Sequence, residues 1–103
     1  MNKENRMEDV TKSLDLPNGS RVVLLDTLGK KEILGAIECA RNIFLLDSSG
    51  LTLWQVSSDF DRDGDPFTNV VYENEELSAY RWDGGMYKID MNSGKASPAI
   101  LTR

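Results

Sequence analysis

The segment from Asp59 to Asp65 comes closest in this sequence to a metal-binding motif. It reads Asp-Phe-Asp-Arg-Asp-Gly-Asp, so aspartates occupy loop positions 1, 3 and 5 and a glycine follows at position 6. Carboxylates at alternate positions converge on a calcium ion, and the glycine permits the sharp turn of the loop. The candidate calcium ligands are Asp59, Asp61, Asp63 and Asp65.

The second half of this motif departs from a calcium loop. Position 12, where a bidentate glutamate is required, is Val70, so Glu73 would have to approach from the next strand. Strand-like sequence, not helical sequence, flanks the loop. The alternative interpretation is a solvated acidic connection between two strands. Calcium binding here would be weak, and no other cofactor is expected.

Nucleophilic catalysis finds little support in the composition. The chain has no histidine and one cysteine, Cys39, which excludes histidine-activated nucleophiles and zinc sites with a histidine ligand. Arg41 would share a strand face with Cys39 and favour its thiolate. Free cysteines are nevertheless among the most buried residues, so we interpret Cys39 as a core residue. We predict no catalytic residues and no enzymatic activity.

The charge balance restricts the class of partner. Twelve lysines and arginines against 17 aspartates and glutamates give a net charge of −5, which repels phosphate backbones and anionic lipids. We therefore expect a basic protein partner, and neither nucleic acid nor a membrane. No apolar run approaches the ~18 residues of a membrane span, and the N-terminus lacks the apolar core of a signal peptide. With its single cysteine, the chain is expected in the cytoplasm.

The pattern along the chain predicts an all-β fold. Residues 1–13 are mostly polar and are interpreted as a flexible tail. From Leu14 onward, short β-rich runs alternate with turn residues every ~8–12 positions, and no stretch keeps a helical period. We predict one domain over residues 14–103, an antiparallel β-meander rolled into a small barrel or a two-layer sheet.

Several turns can be placed from glycine and asparagine. Asn18-Gly19 predicts a tight hairpin. The segment Glu32–Cys39 is interpreted as a strand with a bulge at Gly35. The turn ending at Gly50 predicts a hairpin that pairs Phe44 with Trp54. Because this hairpin is apolar on both faces, a second layer or another subunit is expected to cover it, which makes a homodimer one alternative.

The sequence Gly84-Gly85 predicts a two-residue turn. That turn would pair Trp82 with Tyr87 and Tyr80 with Ile89, and all four of these side chains would face the core. Arg81 and Lys88 would lie on a solvated face.

A weak repeat relates two parts of the chain. Residues 43–50, Ile-Phe-Leu-Leu-Asp-Ser-Ser-Gly, match residues 86–94, Met-Tyr-Lys-Ile-Asp-Met-Asn-Ser-Gly, at an offset of about 43 with one residue inserted. Over residues 42–56 and 86–95 the chain resembles the blade motifs of quinoprotein-type β-propellers, in which an aspartate precedes a glycine turn. More generally it is similar to short uncharacterised bacterial β-proteins. Neither resemblance implies an activity or a cofactor site.

Two functions remain from these observations. The first is a small acidic, non-enzymatic protein-binding or regulatory module, a class that includes toxin-neutralising proteins. The second is a calcium-binding or calcium-stabilised β-domain that uses the loop from Asp59 to Asp65. An exposed apolar patch that includes Ile43, Leu45 or Leu53 would favour the first function or a homodimer, and converging aspartate oxygens would favour the second.

Overall fold

The computed structural model describes residues 10–99, which form two four-stranded antiparallel sheets and two short helices. Sheet 1 contains β1 (Val10–Asp15), β2 (Arg21–Leu25), β3 (Ile43–Leu46) and β4 (Thr52–Gln55). Sheet 2 contains β5 (Phe67–Glu73), β6 (Glu76–Arg81), β7 (Met86–Ile89) and β8 (Ala96–Pro98). The helices α1 (Lys31–Leu34) and α2 (Ala36–Ala40) connect β2 to β3. Within each sheet the strands follow chain order.

The predicted all-β class is confirmed. Of the two predicted architectures, the strands of residues 10–99 form separate layers and do not close into a barrel. The inner faces of both sheets contribute to one hydrophobic core, which is where burial stabilises the fold. The core residues are Leu16, Val22, Leu24, Ile43, Leu45, Trp54 and Val56 from the sheet 1 half, and Phe67, Val70, Leu77, Ala79, Tyr87, Ile89 and Ala96 from the sheet 2 half.

The prediction of a strand over Glu32–Cys39 is wrong, because this segment forms α1 and α2. Gly35, with φ of 90°, separates the two helices, and its N–H donates to the carbonyl oxygen of Lys31. Lys, Glu, Leu and Ala are good helix formers, and periodicity does not distinguish a short buried helix from a strand. The glycine therefore ends a helix and is not a bulge.

The boundary of the predicted tail also needs correction. β1 begins at Val10, so residues 10–13 belong to a strand that pairs with β2. Only every second residue of this edge strand is partly buried, which is why the segment reads as polar. The rest of the predicted tail, residues 1–9, lies outside the described residues.

The first hairpin is confirmed, but the register of the second is not as predicted. Asn18 and Gly19 turn the chain between β1 and β2. In sheet 1 Phe44 lies opposite Gln55, whereas the prediction placed it opposite Trp54. A β-bulge between the pairs Leu45–Trp54 and Leu46–Thr52 shifts the register by one residue. The length of the turn alone does not reveal this bulge.

The predicted register around Gly84-Gly85 is wrong. Tyr80 lies opposite Met86 and Ala79 lies opposite Tyr87, because the Arg81 N–H bonds to the carbonyl oxygen of Gly85 and closes a longer turn. A shift by an odd number of residues reverses the faces of one strand relative to its neighbour. The core face of β6 therefore carries Leu77, Ala79 and Arg81, while Tyr80 and Trp82 are 40% and 59% exposed. The prediction that Tyr87 and Ile89 are core residues is confirmed.

Candidate functional site

Asp61 is the centre of a buried ion-pair cluster in the connection between β4 and β5. Its Oδ1 accepts hydrogen bonds from Arg81 Nη2 at 2.9 Å and Ser58 Oγ at 2.6 Å. Its Oδ2 accepts from Arg41 Nε at 2.7 Å and from the Ser58 N–H at 2.8 Å. Both carboxylate oxygens are therefore committed to donors within the chain.

Arg81 connects this cluster to the core, and its predicted solvated position is wrong. The residue is 2% exposed, and its guanidinium carbon lies 4.1 Å from the ring centroid of Phe67 and 4.7 Å from that of Tyr87. Nη2 also donates to the carbonyl oxygen of Ala40, at the end of α2, at 3.1 Å. Among the buried side-chain polar atoms of residues 10–99, only Arg81 Nε has no hydrogen-bond partner. Arg81 thus joins the end of β6 to α2 and to Asp61.

The surroundings of Asp61 favour its charged form. Burial by itself would raise the pKa of the Asp61 carboxyl, but hydrogen bonds from Ser58, Arg41 and Arg81 together outweigh it and hold the pKa below its ordinary value. The carboxylate is therefore charged at neutral pH and is neutralised by two arginines.

The four candidate calcium ligands do not share one environment. Asp61 points into the ion-pair cluster, and Asp59 Oδ1 accepts from Lys95 Nζ at 2.9 Å. Asp63 is exposed and Asp65 is half-buried beside Pro66. Within the described part of the chain, no group of three or more acidic or cysteine side chains is placed to hold a metal ion. Calcium binding by this loop stays a prediction.

A thermal melt in millimolar calcium and in chelator tests that prediction. A site saturated at a hundred times its Kd would add about 2.7 kcal/mol, which raises the Tm of a domain this size by about 10–20 °C. Curves that coincide would reject the site, and the two arginines that calcium would have to displace from Asp61 would account for that result. A shift of that size would establish the site.

Cys39 lies in α2, not in the predicted strand, but its predicted burial is confirmed. Burial, partly offset by Lys31, raises the pKa of its thiol, so the reactive thiolate is disfavoured.

An apolar pocket of about 210 Å³ opens where the end of β2 meets the start of β5. It is lined by Thr11, Leu24, Leu25, Asp26, Thr27, Leu28, Pro66, Phe67 and Thr68. The backbone beside it is fixed by Asn42, whose side-chain amide donates to the carbonyl oxygens of Leu25 and Phe67 and accepts from the Phe67 N–H. Asn42 therefore holds the two sheets together at the pocket.

Exposed apolar side chains lie beside the pocket. Leu28, which is 52% exposed, forms part of its lining. The Trp82 N–H donates to the carbonyl oxygen of Pro66 at 2.8 Å, and Thr68 Oγ1 donates to that of Tyr80 at 3.3 Å. The backbones of Tyr80 and Trp82 thus lie beside Thr68 and Pro66 of the pocket lining. The exposed residues Leu28, Tyr80 and Trp82 are here called the apolar rim.

Aspartates are close in sequence to the residues of the pocket and the apolar rim. Asp26 precedes Leu28 by two residues, Asp65 precedes Pro66, and Asp83 follows Trp82. Asp26 Oδ1 accepts from the Leu28 N–H and Asp83 Oδ1 from the Gly85 N–H, so both carboxylates also shape their turns. The chain carries a net charge of −5, which attracts cationic groups at long range.

The predicted core positions of Tyr80 and Trp82 are wrong, because both side chains are exposed. The signal that could have revealed it is the alternation Leu77-x-Ala79 in β6, which is the actual core face. Of the three residues named for an apolar patch, Ile43 and Leu45 are buried in the core and Leu53 is exposed on β4.

Comparison with known proteins gives a family but no activity. The model of a domain of unknown function, DUF7957, matches residues 7–99. No curated protein and no solved structure matches the chain. The resemblance to propeller blades stays a prediction. Among the described residues, no helix is long and apolar enough to cross a membrane.

Proposed function

The chain belongs to the DUF7957 family. We propose that it is a small cytoplasmic, non-enzymatic module that binds a basic protein partner and regulates it. The observation that carries the proposal is the apolar pocket of about 210 Å³ with Leu28 exposed in its lining, together with the exposed Tyr80 and Trp82, whose backbones are hydrogen-bonded to Thr68 and Pro66 of that lining. Such a pocket suits one apolar anchor side chain of the partner.

The chemistry of the pocket supports binding more than catalysis. Its lining is apolar apart from Asp26 and three threonines, Thr11, Thr27 and Thr68. These groups offer no nucleophile paired with a general base, whereas they can surround an aliphatic or aromatic side chain. The aspartates near the rim would pair with lysines or arginines that flank the anchor in the partner.

Substitution of Leu28 by arginine tests the proposed surface. We expect Leu28→Arg to weaken partner binding by about thirtyfold or more, because it removes apolar contact and adds a positive charge that a basic partner repels. The matched control is Leu51→Arg, since Leu51 is 67% exposed in the turn between β3 and β4, away from the pocket.

The partner for this measurement is found by photo-crosslinking. A benzophenone amino acid is placed at position 28 or at position 51, and adducts formed in cells are identified by mass spectrometry. We expect a basic protein to be crosslinked from position 28 alone, and its binding to the purified chain to weaken with added salt. Identical adducts from both positions, or none from position 28, would rule out this surface.

A further inference from the structure

The hydroxyl groups in the lining of the apolar pocket are already hydrogen-bonded within the chain. All three threonine hydroxyls of the lining donate to backbone carbonyl oxygens: Thr11 to Leu24 at 3.3 Å, Thr27 to Cys39 at 2.8 Å, and Thr68 to Tyr80 at 3.3 Å. A hydroxyl has a single hydrogen to donate, so one that is already engaged has none to give to a ligand. The threonines therefore offer a bound group their methyl surface and no free donor.

The backbone of the lining is engaged in the same way. The carbonyl oxygens of Leu25 and Phe67 accept from the Asn42 amide, at 2.7 and 2.8 Å. Those of Thr27 and Pro66 accept from the backbone N–H groups two to three turns of chain away, of Lys30 and Trp82. A polar group that entered the pocket would lose its hydrogen bonds to water without equivalent replacement, which costs free energy. The pocket therefore selects an apolar group.

The size of the pocket limits that group to one side chain. A cavity of about 150 Å³ is enough for a benzene molecule. The pocket, with about 210 Å³, thus has room for a side chain of the size of phenylalanine. Asn42 is fully buried and binds the backbone on both sides of the pocket, so the space exists before a ligand enters.

Asp26 is the one charged residue in the lining of this pocket. Its Oδ1 accepts from the Leu28 N–H at 3.1 Å, which orients the carboxylate in the turn after β2. Within residues 10–99 its Oδ2 accepts no hydrogen bond, and the side chain is exposed. Asp65 and Asp83 do not belong to the lining. Asp26 thus places one available carboxylate oxygen at the edge of an otherwise apolar pocket.

We propose that the pocket recognises a pair of neighbouring residues in the partner, an aromatic side chain and a lysine or arginine next to it. The aromatic ring fills the pocket, and the ammonium or guanidinium group pairs with Asp26, which makes Asp26 the residue that determines specificity for the basic neighbour. This pairing rests on the proposed function, because the two residues belong to the basic partner, and it names what that partner must present.

Three blocked dipeptides test the two halves of this recognition separately: acetyl-Phe-Arg-amide, acetyl-Phe-Gln-amide and acetyl-Ala-Arg-amide. Each is titrated into the purified chain at low salt, and the leucine methyl resonances are followed by NMR. We expect the first peptide to shift the methyl signals of Leu24, Leu25 and Leu28, which line the pocket, and to leave Leu51 and Leu53 unchanged. The alanine peptide should bind about tenfold more weakly or less, because it buries no ring.

The effect of charge is measured with Asp26→Asn. This variant keeps an oxygen that can accept from the Leu28 N–H but removes the charge. In the unchanged chain the Phe-Arg peptide should bind about two- to fivefold more tightly than the Phe-Gln peptide, the range of an exposed ion pair. In Asp26→Asn the two peptides should bind equally. The matched control is Asp15→Asn, since Asp15 lies at the other end of β1 and its side chain is 79% exposed, and it should keep the preference.

Three results would overturn the proposal: no shift of the pocket leucines with any peptide, equal binding of the Phe-Arg and Phe-Gln peptides by the unchanged chain, or an equal loss of preference in Asp26→Asn and Asp15→Asn. The last result would assign the effect to net charge alone. If position 28 crosslinks a basic protein while the peptides show no preference, the specificity of Asp26 fails and the proposed function stands. If the preference is found while position 28 crosslinks nothing, the proposed function fails and the specificity stands.

Discussion

Replacement of Asp61 by alanine is expected to lower the free energy of unfolding by about 3–5 kcal/mol, because removal of one member of a buried ion pair leaves the other charge unpaired. Arg81 would remain buried without its carboxylate, and Ser58 would lose the acceptor of both its N–H and its Oγ. Since the free energy of unfolding of a small domain is about 5–15 kcal/mol in total, this single change removes a large part of it.

The matched control is Asp63→Ala in the same loop. Asp63 is exposed, so its replacement is expected to change stability by no more than about 0.5 kcal/mol. Urea denaturation followed by tryptophan fluorescence measures both variants. Equal stabilities of Asp61→Ala and Asp63→Ala would show that the cluster does not hold the loop to β6.

The same carboxylate gives stability a definite pH dependence. The pKa of Asp61 is lower in the folded chain than its ordinary value of about 3.9, so its contribution is fully present above that value. The contribution disappears as pH falls towards the folded pKa, where the native carboxylate becomes protonated. We expect Asp61→Asn to lose stability less steeply than the unchanged chain over this range. Equal slopes would count against the assignment.

The position of Asp61 shows where sequence reasoning about the site ends. Four aspartates alternate in the loop, and nothing local distinguishes the one that turns inward. Its selection depends on Arg41 and Arg81, which are remote from the loop in sequence and contact Asp61 only through the tertiary fold. The loop could therefore be predicted as a feature, whereas the partner of each carboxylate could not.

The fold, too, has features that could be predicted from the sequence and features that could not. Turns marked by Gly19 and Gly50 were predictable, because glycine readily adopts the positive φ that these turns need. The register after Gly84 was not, since one hydrogen bond between Arg81 and Gly85 lengthens the turn and reverses the face of Tyr80. That error concealed the apolar rim. Which residues of a strand are exposed thus depends on whether the adjoining turn shifts the register by an odd or an even number of residues.

Substitution of Gly94 by alanine is expected to destabilise the fold by about 2–5 kcal/mol, the sum of backbone strain and overpacking. Gly94 has a φ of 79°, and an added Cβ would lie 2.7 Å from the Trp54 ring. Trp54 cannot easily move away, because its Nε1 donates to the carbonyl oxygen of Met91 at 2.7 Å. The close approach joins the turn after β7 to β4.

Gly50 provides the control, since it occupies the equivalent position in the turn of sheet 1. Its φ is 95°, but no atom lies within 4 Å of an added Cβ, so Gly50→Ala should cost only the backbone strain of about 1–2 kcal/mol. Urea unfolding of both variants compares them directly. In a Trp54→Leu background, the additional cost at Gly94 should shrink towards that at Gly50, because the smaller side chain removes the clash. An equal cost at both glycines in the unchanged background would mean that backbone strain alone, and not the contact between the two sheets, requires glycine at position 94.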